Sequence, residues 1–109
     1  MAISHFGTLI FENGQYARHS GSTNWTVRPI PGFGLEVGPP LAQVQIAFSE
    51  PVVTPYTVVV SACRSSNTPM LCANSGDFAE GGFVVQLFEP VFTRTLQNGN
   101  FSFIVLQSE

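Results

Sequence analysis

The sequence predicts an all-β domain, a six- to seven-stranded antiparallel β-sandwich, on three observations. Val44, Ile46 and Phe48 alternate with Gln43, Gln45 and Ala47, the period-two pattern of a half-buried strand. Tyr56 to Val60 is a continuous apolar, largely β-branched run, which suits a strand covered on both faces. A helix is disfavoured there, because β-branched side chains lose rotamer freedom in it. Turn signals recur between the short apolar segments at intervals that fit a sandwich, and no stretch reads as a helix.

In chain order, His5 to Phe11 alternates weakly and predicts a strand. Glu12-Asn13-Gly14-Gln15 predicts a turn, since Asn-Gly reaches positive φ cheaply. Ser20 to Asn24 is a polar loop, and Asn24 to Arg28 a short strand with Trp25 and Val27 inward. Residues 29–40 hold four prolines and three glycines and predict an ordered surface loop. After the strand at 44–48, Ser49-Glu50-Pro51 and Pro55 break the pattern before the valine-rich strand begins. Ser65 to Pro69 reads as a polar turn, Met70 to Ala73 as a brief strand pairing back, and Asn74 to Gly82 as loop. Phe83 to Phe88 predicts a strand, interrupted at Glu89-Pro90. Asn98-Gly99-Asn100 carries the clearest hairpin-turn signal, and the alternation from Phe101 to Leu106 predicts a last strand buried on both faces. With no repeat or linker, residues 1–109 form one domain.

Composition narrows the function. A chain of 109 residues buries roughly two-thirds of its unfolded surface, enough for one core. Only 10% of residues are charged, so the exterior is unusually neutral, which favours an oligomer or neutral polar ligands such as sugars. The four basic residues are all arginine, which leaves no lysine for Schiff-base or phosphate-loop chemistry. A net charge of −3 without clustered basic residues argues against nucleic acid and anionic membrane. No segment approaches the roughly 20 apolar residues needed to span a bilayer. The start, MAISHFGTLIF, lacks a basic region and a clean apolar block and does not read as a secretory signal. The expected settings are therefore a virion, the cytoplasm, release by lysis, or a mature form. Cys63 and Cys72 either pair as a disulfide across a hairpin or stay as buried free thiols.

The residues offer little catalytic chemistry. His5 and His19 lack the partners of a zinc site, and Asp77, the only aspartate, has no nucleophile elbow to serve. Glu12, Glu36, Glu50, Asp77, Glu80 and Glu89 could supply a glycosidase pair, but nothing in the sequence brings two together. Gly32-Phe33-Gly34 has no strand leading in and no helix following, so it is not a phosphate loop, and no cofactor is implied. A sugar site instead needs an aromatic ring and fixed donors. Arg64 and Asn67 after the valine-rich strand, and Phe92 and Arg94 after Pro90, are the candidates, since arginine offers planar, multi-donor contacts.

The whole-chain layout resembles the H-type lectin domain, the family of snail and slime-mould N-acetylgalactosamine-binding agglutinins. The residues that carry the likeness are Gly7 and Ile10, Asn24-Trp25-Thr26-Val27-Arg28-Pro29, and Ile46-Ala47-Phe48 before the proline-bearing gap. They continue through Val58-Val59-Val60-Ser61, Gly82-Phe83 and the aromatic strand from Phe101 to Leu106. The resemblance implies a six-stranded sandwich assembling as a homotrimer or hexamer, with neutral sugars of the galactose or N-acetylgalactosamine type bound between protomers. It also implies an acidic ligand before the valine-rich strand, an arginine after it, and a Trp-His pair beyond the Gly-Phe strand. Here Glu36 is the only acid in the first loop, and Arg64 lies in the second loop at a different spacing. The last region reads Glu89-Pro90-Val91-Phe92, without tryptophan or histidine. Small trimeric sandwiches at phage tail-fibre tips are similar in layout.

The expected function is a non-enzymatic, oligomeric carbohydrate-binding domain, either a free lectin or a receptor-binding tip that recognises cell-surface glycans. The competing expectation is a structural or assembly protein of a phage virion with the same trimeric sandwich and no sugar site.

Overall fold

The structure is a computed structural model and describes residues 2–29, 43–63, 71–90 and 95–107. Its strands in chain order are β1 (Ala2–Glu12), β2 (Gln15–Gly21), β3 (Trp25–Pro29), β4 (Gln43–Phe48) and β5 (Thr57–Cys63), followed by β6 (Cys72–Ala79), β7 (Gly82–Glu89), β8 (Thr95–Leu96) and β9 (Asn100–Gln107). Eight of them form two antiparallel four-stranded sheets, β2-β1-β9-β5 and β3-β4-β7-β6, and β8 adds a two-residue pairing to the end of β7. Among the described residues there is no helix, and therefore none long and apolar enough to cross a membrane.

The sandwich class is as the sequence predicts, but eight main strands replace six or seven. The additional strand, β2, is polar, and from Cys72 on the brief strand predicted at Met70 to Ala73 is the start of a longer one that pairs with β7 and not back on β5. Gln15 to Gly21 shows no apolar alternation because β2 is an exposed edge strand, recruited by the turn at Asn13 and Gly14, where φ is 53° and 78°. Asn74 to Ala79 is strand and not loop, held by pairing with β7 and kinked by a bulge where Asp77 takes φ 53°.

The core lies where the two sheets face each other. Leu9, Phe101, Phe103 and Val105 from the first sheet meet Trp25, Val44, Ile46, Phe83, Val85 and Leu87 from the second. Phe103 sits edge-on to both Trp25 and Phe83, with ring centroids 5.0 and 5.5 Å away. Full burial of each such side chain contributes about 1.5–3 kcal/mol, so these rings dominate the fold's stability.

Four further expectations change with the topology. β5 is an edge strand and not a covered one: Val58 and Val60 pack on the core, whereas Val59 is half exposed. β9 buries Phe101, Phe103 and Val105 fully but leaves Ser102, Ile104 and Leu106 only half-buried on the outer face. Asn98 and Gly99 do not close a hairpin, because β8 pairs with β7 while β9 pairs with β1 and β5. They form a crossover between sheets, where the Tyr16 hydroxyl donates to Asn98 Oδ1 and accepts from the Gly99 amide, each at 3.2 Å. Finally, β5 and β6 belong to different sheets, so Cys63 and Cys72 do not face each other across a hairpin; both are free thiols in the structure.

Candidate functional site

A cavity of about 560 Å³ opens at the end of the sandwich where β1 begins and β4 and β9 finish. Strand register builds it. Trp25 pairs with Phe48, so the residues before β3 must abut those after β4, and the Ser49 amide donates to the Asn24 carbonyl at 3.0 Å. Thr23, Asn24, Ser49 and Glu50 thereby share one wall. The second wall comes from Ser4, His5 and Gln107, brought together by the β1–β9 pairing. Asn24 ties the two walls, its side-chain amide donating to the Ser4 carbonyl at 3.0 Å. The connector supplies apolar surface: Val52 is buried, with its amide donating to Glu80 O at 2.8 Å, while Pro51 and the 81% exposed Val53 line the cavity beside it.

His5 is the most constrained polar group here, only 6% exposed. Its ring lies 4.5 Å from that of Phe48, and its Nδ1 is 2.7 Å from Ser4 Oγ. Burial disfavours the imidazolium and holds the His5 pKa below its ordinary 6.5. The cavity therefore combines hydroxyls, amides, one neutral imidazole and one carboxylate with a short apolar strip. That set can hydrogen-bond vicinal hydroxyls while an apolar ring face rests on Pro51, Val52 and Val53. Among the described residues, no group of three or more His, Cys, Asp or Glu is placed to hold a metal ion.

A smaller cavity of about 200 Å³ lies on the outer face of the second sheet, lined by Asn74, Ser75, Gly76, Asp77, Val84 and Gln86. Beside it Gln86 Nε2 donates to Gln43 Oε1 at 2.9 Å, and Gln43 Nε2 is buried without a partner. Gln43 and Ala47 point outward from the core as the alternation predicts, yet both are buried, so this row is not a free flank.

The five candidate sugar contacts, Glu36, Arg64, Asn67, Phe92 and Arg94, lie outside the described residues. The described residues that flank their segments share the opposite end from the large cavity. Pro29 pairs beside Val44, Cys72 beside Phe88 and Glu89 beside Thr95 in one sheet, and Cys63 pairs with Asn100 in the other. The residues of the large cavity escaped the sequence reading because Ser20 to Asn24 and Ser49 to Pro51 register only as breaks. Their proximity is legible only once Trp25 is paired with Phe48.

Set against protein-family models, curated proteins and solved structures, the chain matches none.

Proposed function

We propose that the chain is a non-enzymatic, oligomeric carbohydrate-binding domain of the H-type lectin kind, assembled as a trimer or hexamer and acting as a lectin or as a receptor-binding tip. The observation that carries this reading is the end cavity. At about 560 Å³ it has room for one or two sugar rings, and its wall groups Ser4, Thr23, Asn24 and Ser49 are neutral donors and acceptors. Glu50 supplies the single carboxylate, which can accept from two adjacent hydroxyls. Arg64, Asn67, Phe92, Arg94 and Glu36 belong to the same proposal as a second contact region, supported by the shared end from which their segments leave.

A glycan array probed with purified protein tests the reading. Selective binding that a free galactose-type or N-acetylgalactosamine-type sugar competes away is the expected result. Uniform absence of binding would discard it in favour of a structural or assembly role for the same sandwich.

A further inference from the structure

We infer that the outer face of the β2-β1-β9-β5 sheet is buried against a second copy of this chain, across a two-fold axis running along β9. The inference is independent of the sugar reading, rests on the strand registers, and of the two proposed assemblies admits the hexamer and not the trimer.

Phe6 pairs with Ile104, and Ile104 pairs with Val59, so these three stand in one row across β1, β9 and β5. The next row holds Ile3 beside Leu106. A bulge between Ile3 and His5 keeps Ile3 and Phe6 on the same face, although they are three positions apart. Ile3 is 57% exposed, Phe6 48% and Val59 49%, with the half-buried Ile104 and Leu106 between them. Three of the five large apolar side chains that the described protein exposes therefore stand side by side on one sheet. Contiguous apolar surface of this kind marks an interaction site, whereas single exposed apolar residues do not.

The occupant follows from charge and symmetry. Beyond the apolar rows comes a row of Thr8, Ser102, Ser61 and Ser20, in which Thr8 Oγ1 lies 2.8 Å from Ser102 Oγ. From the Ile3 row to this one the face carries no charge. Two copies, each of net charge −3, can meet there without bringing like charges together, and a charged partner would find nothing to pair with. Phe6 and Val59 flank Ile104 on opposite sides, so an axis along β9 sets the large Phe6 of one copy over the small Val59 of the other, and the reverse. The whole sheet face spans roughly 500 Å² in projection before side-chain relief, of which the uncharged rows from Ile3 to Thr8 are about half, so the contact extends over the Ile10 and Ala17 row to approach the roughly 600–1,000 Å² per partner of stable interfaces.

The test is the mass of the wild-type chain and of folded variants, by light scattering over a dilution series, with circular dichroism confirming each fold. The wild type is expected at an even multiple of the protomer mass, and Phe6→Lys and Val59→Lys, on different strands, at half the wild-type mass. Thr26→Lys, exposed on β3 of the other sheet, is expected to keep the wild-type mass. Hydroxyl-radical footprinting of unmodified protein supplies a readout free of folding effects: Phe6 and Ile104 should gain protection as concentration rises, and Phe78 should not. A monomeric or odd-numbered wild type would overturn the inference. So would folded Phe6→Lys and Val59→Lys proteins of unchanged mass, or a Phe6 that stays equally oxidised at every concentration. An array result, positive or negative, leaves each of these outcomes as it stands.

Discussion

Gly7 of β1 and Trp25 of β3 share a space that admits only one side chain. The Trp25 indole is fully buried between the sheets, and its Nε1 donates to the Phe6 carbonyl at 3.0 Å. A Cβ on residue 7 would overlap the six-membered ring of that indole. The ring cannot retreat, because Phe103 meets it on the core side and the Arg18 guanidinium, which also donates to the Trp25 carbonyl, lies 4.2 Å over it.

Gly7→Ala is therefore expected to destabilise the fold by about 1–3 kcal/mol, the usual cost of inserting a methyl into a full core. Urea unfolding of the two proteins measures the difference. A change within about 0.5 kcal/mol would show that the indole has room to move, contrary to the packing described.

Neighbouring valines of β5 should behave oppositely. Val60 packs on the core cluster, whereas Val59 is 49% exposed on the outer face. Val60→Asp is expected to cost about 2 kcal/mol or more by placing a carboxylate against apolar neighbours, and Val59→Asp only about 0.5 kcal/mol when measured at high dilution. Thermal melts that rank the two in the other order would show that β5 presents its faces the other way round.

That contrast shows where the sequence is legible. The alternation of Val44, Ile46 and Phe48, the inward Trp25 and the Asn13-Gly14 turn all read directly, because each follows from local periodicity or local φ preference. The place of β5 in its sheet does not, since the same Val58-Val59-Val60 run suits a covered strand or an edge one, and only the pairing of β9 with β1 and β5 decides it. β2 and the part of β6 beyond Ala73 were hidden for a related reason: QYARHSG and NSGDF are polar because they line sheet edges, and their extended form is imposed by β1 and β7. The candidate site suffers most. Asn24 and Glu50 are far apart in sequence and meet through the register of β3 with β4, which no local signal records.

Burial of His5 makes stability depend on pH. Its folded pKa lies below the unfolded value of 6.5, so below that pH the unfolded chain takes up a proton that the folded chain refuses. Stability should be level for this group above pH 6.5 and fall as the pH drops through 6.5 toward the folded pKa. His5→Gln should remove that part of the slope. Unfolding free energies measured in steps below neutrality check this, and an equal slope in wild type and variant would assign the dependence elsewhere.

The thiols give a separate check on topology. Cys63 is half-buried on the outer face of the first sheet, with its Sγ 3.3 Å from Ser102 Oγ, and Cys72 is exposed at the start of β6. Titration with an aromatic disulfide reagent is expected to find two free thiols, with Cys72 reacting first. A purified chain whose thiols stay unreactive after unfolding without reductant would mean that the two cysteines are bridged.

The claim that sugars bind in the end cavity is tested most directly by calorimetric titration of the array-selected sugar into wild type, Glu50→Ala and Arg64→Ala. Losing the acceptor for a bound sugar hydroxyl costs about 1–3 kcal/mol, so Glu50→Ala should weaken binding roughly tenfold to a hundredfold. Arg64→Ala reports on the proposed second contact region, whose segment follows Cys63 at the end of β5, and should cost less than Glu50→Ala. Unchanged affinity in Glu50→Ala, with loss in Arg64→Ala, would contradict the account and assign the site to the second contact region.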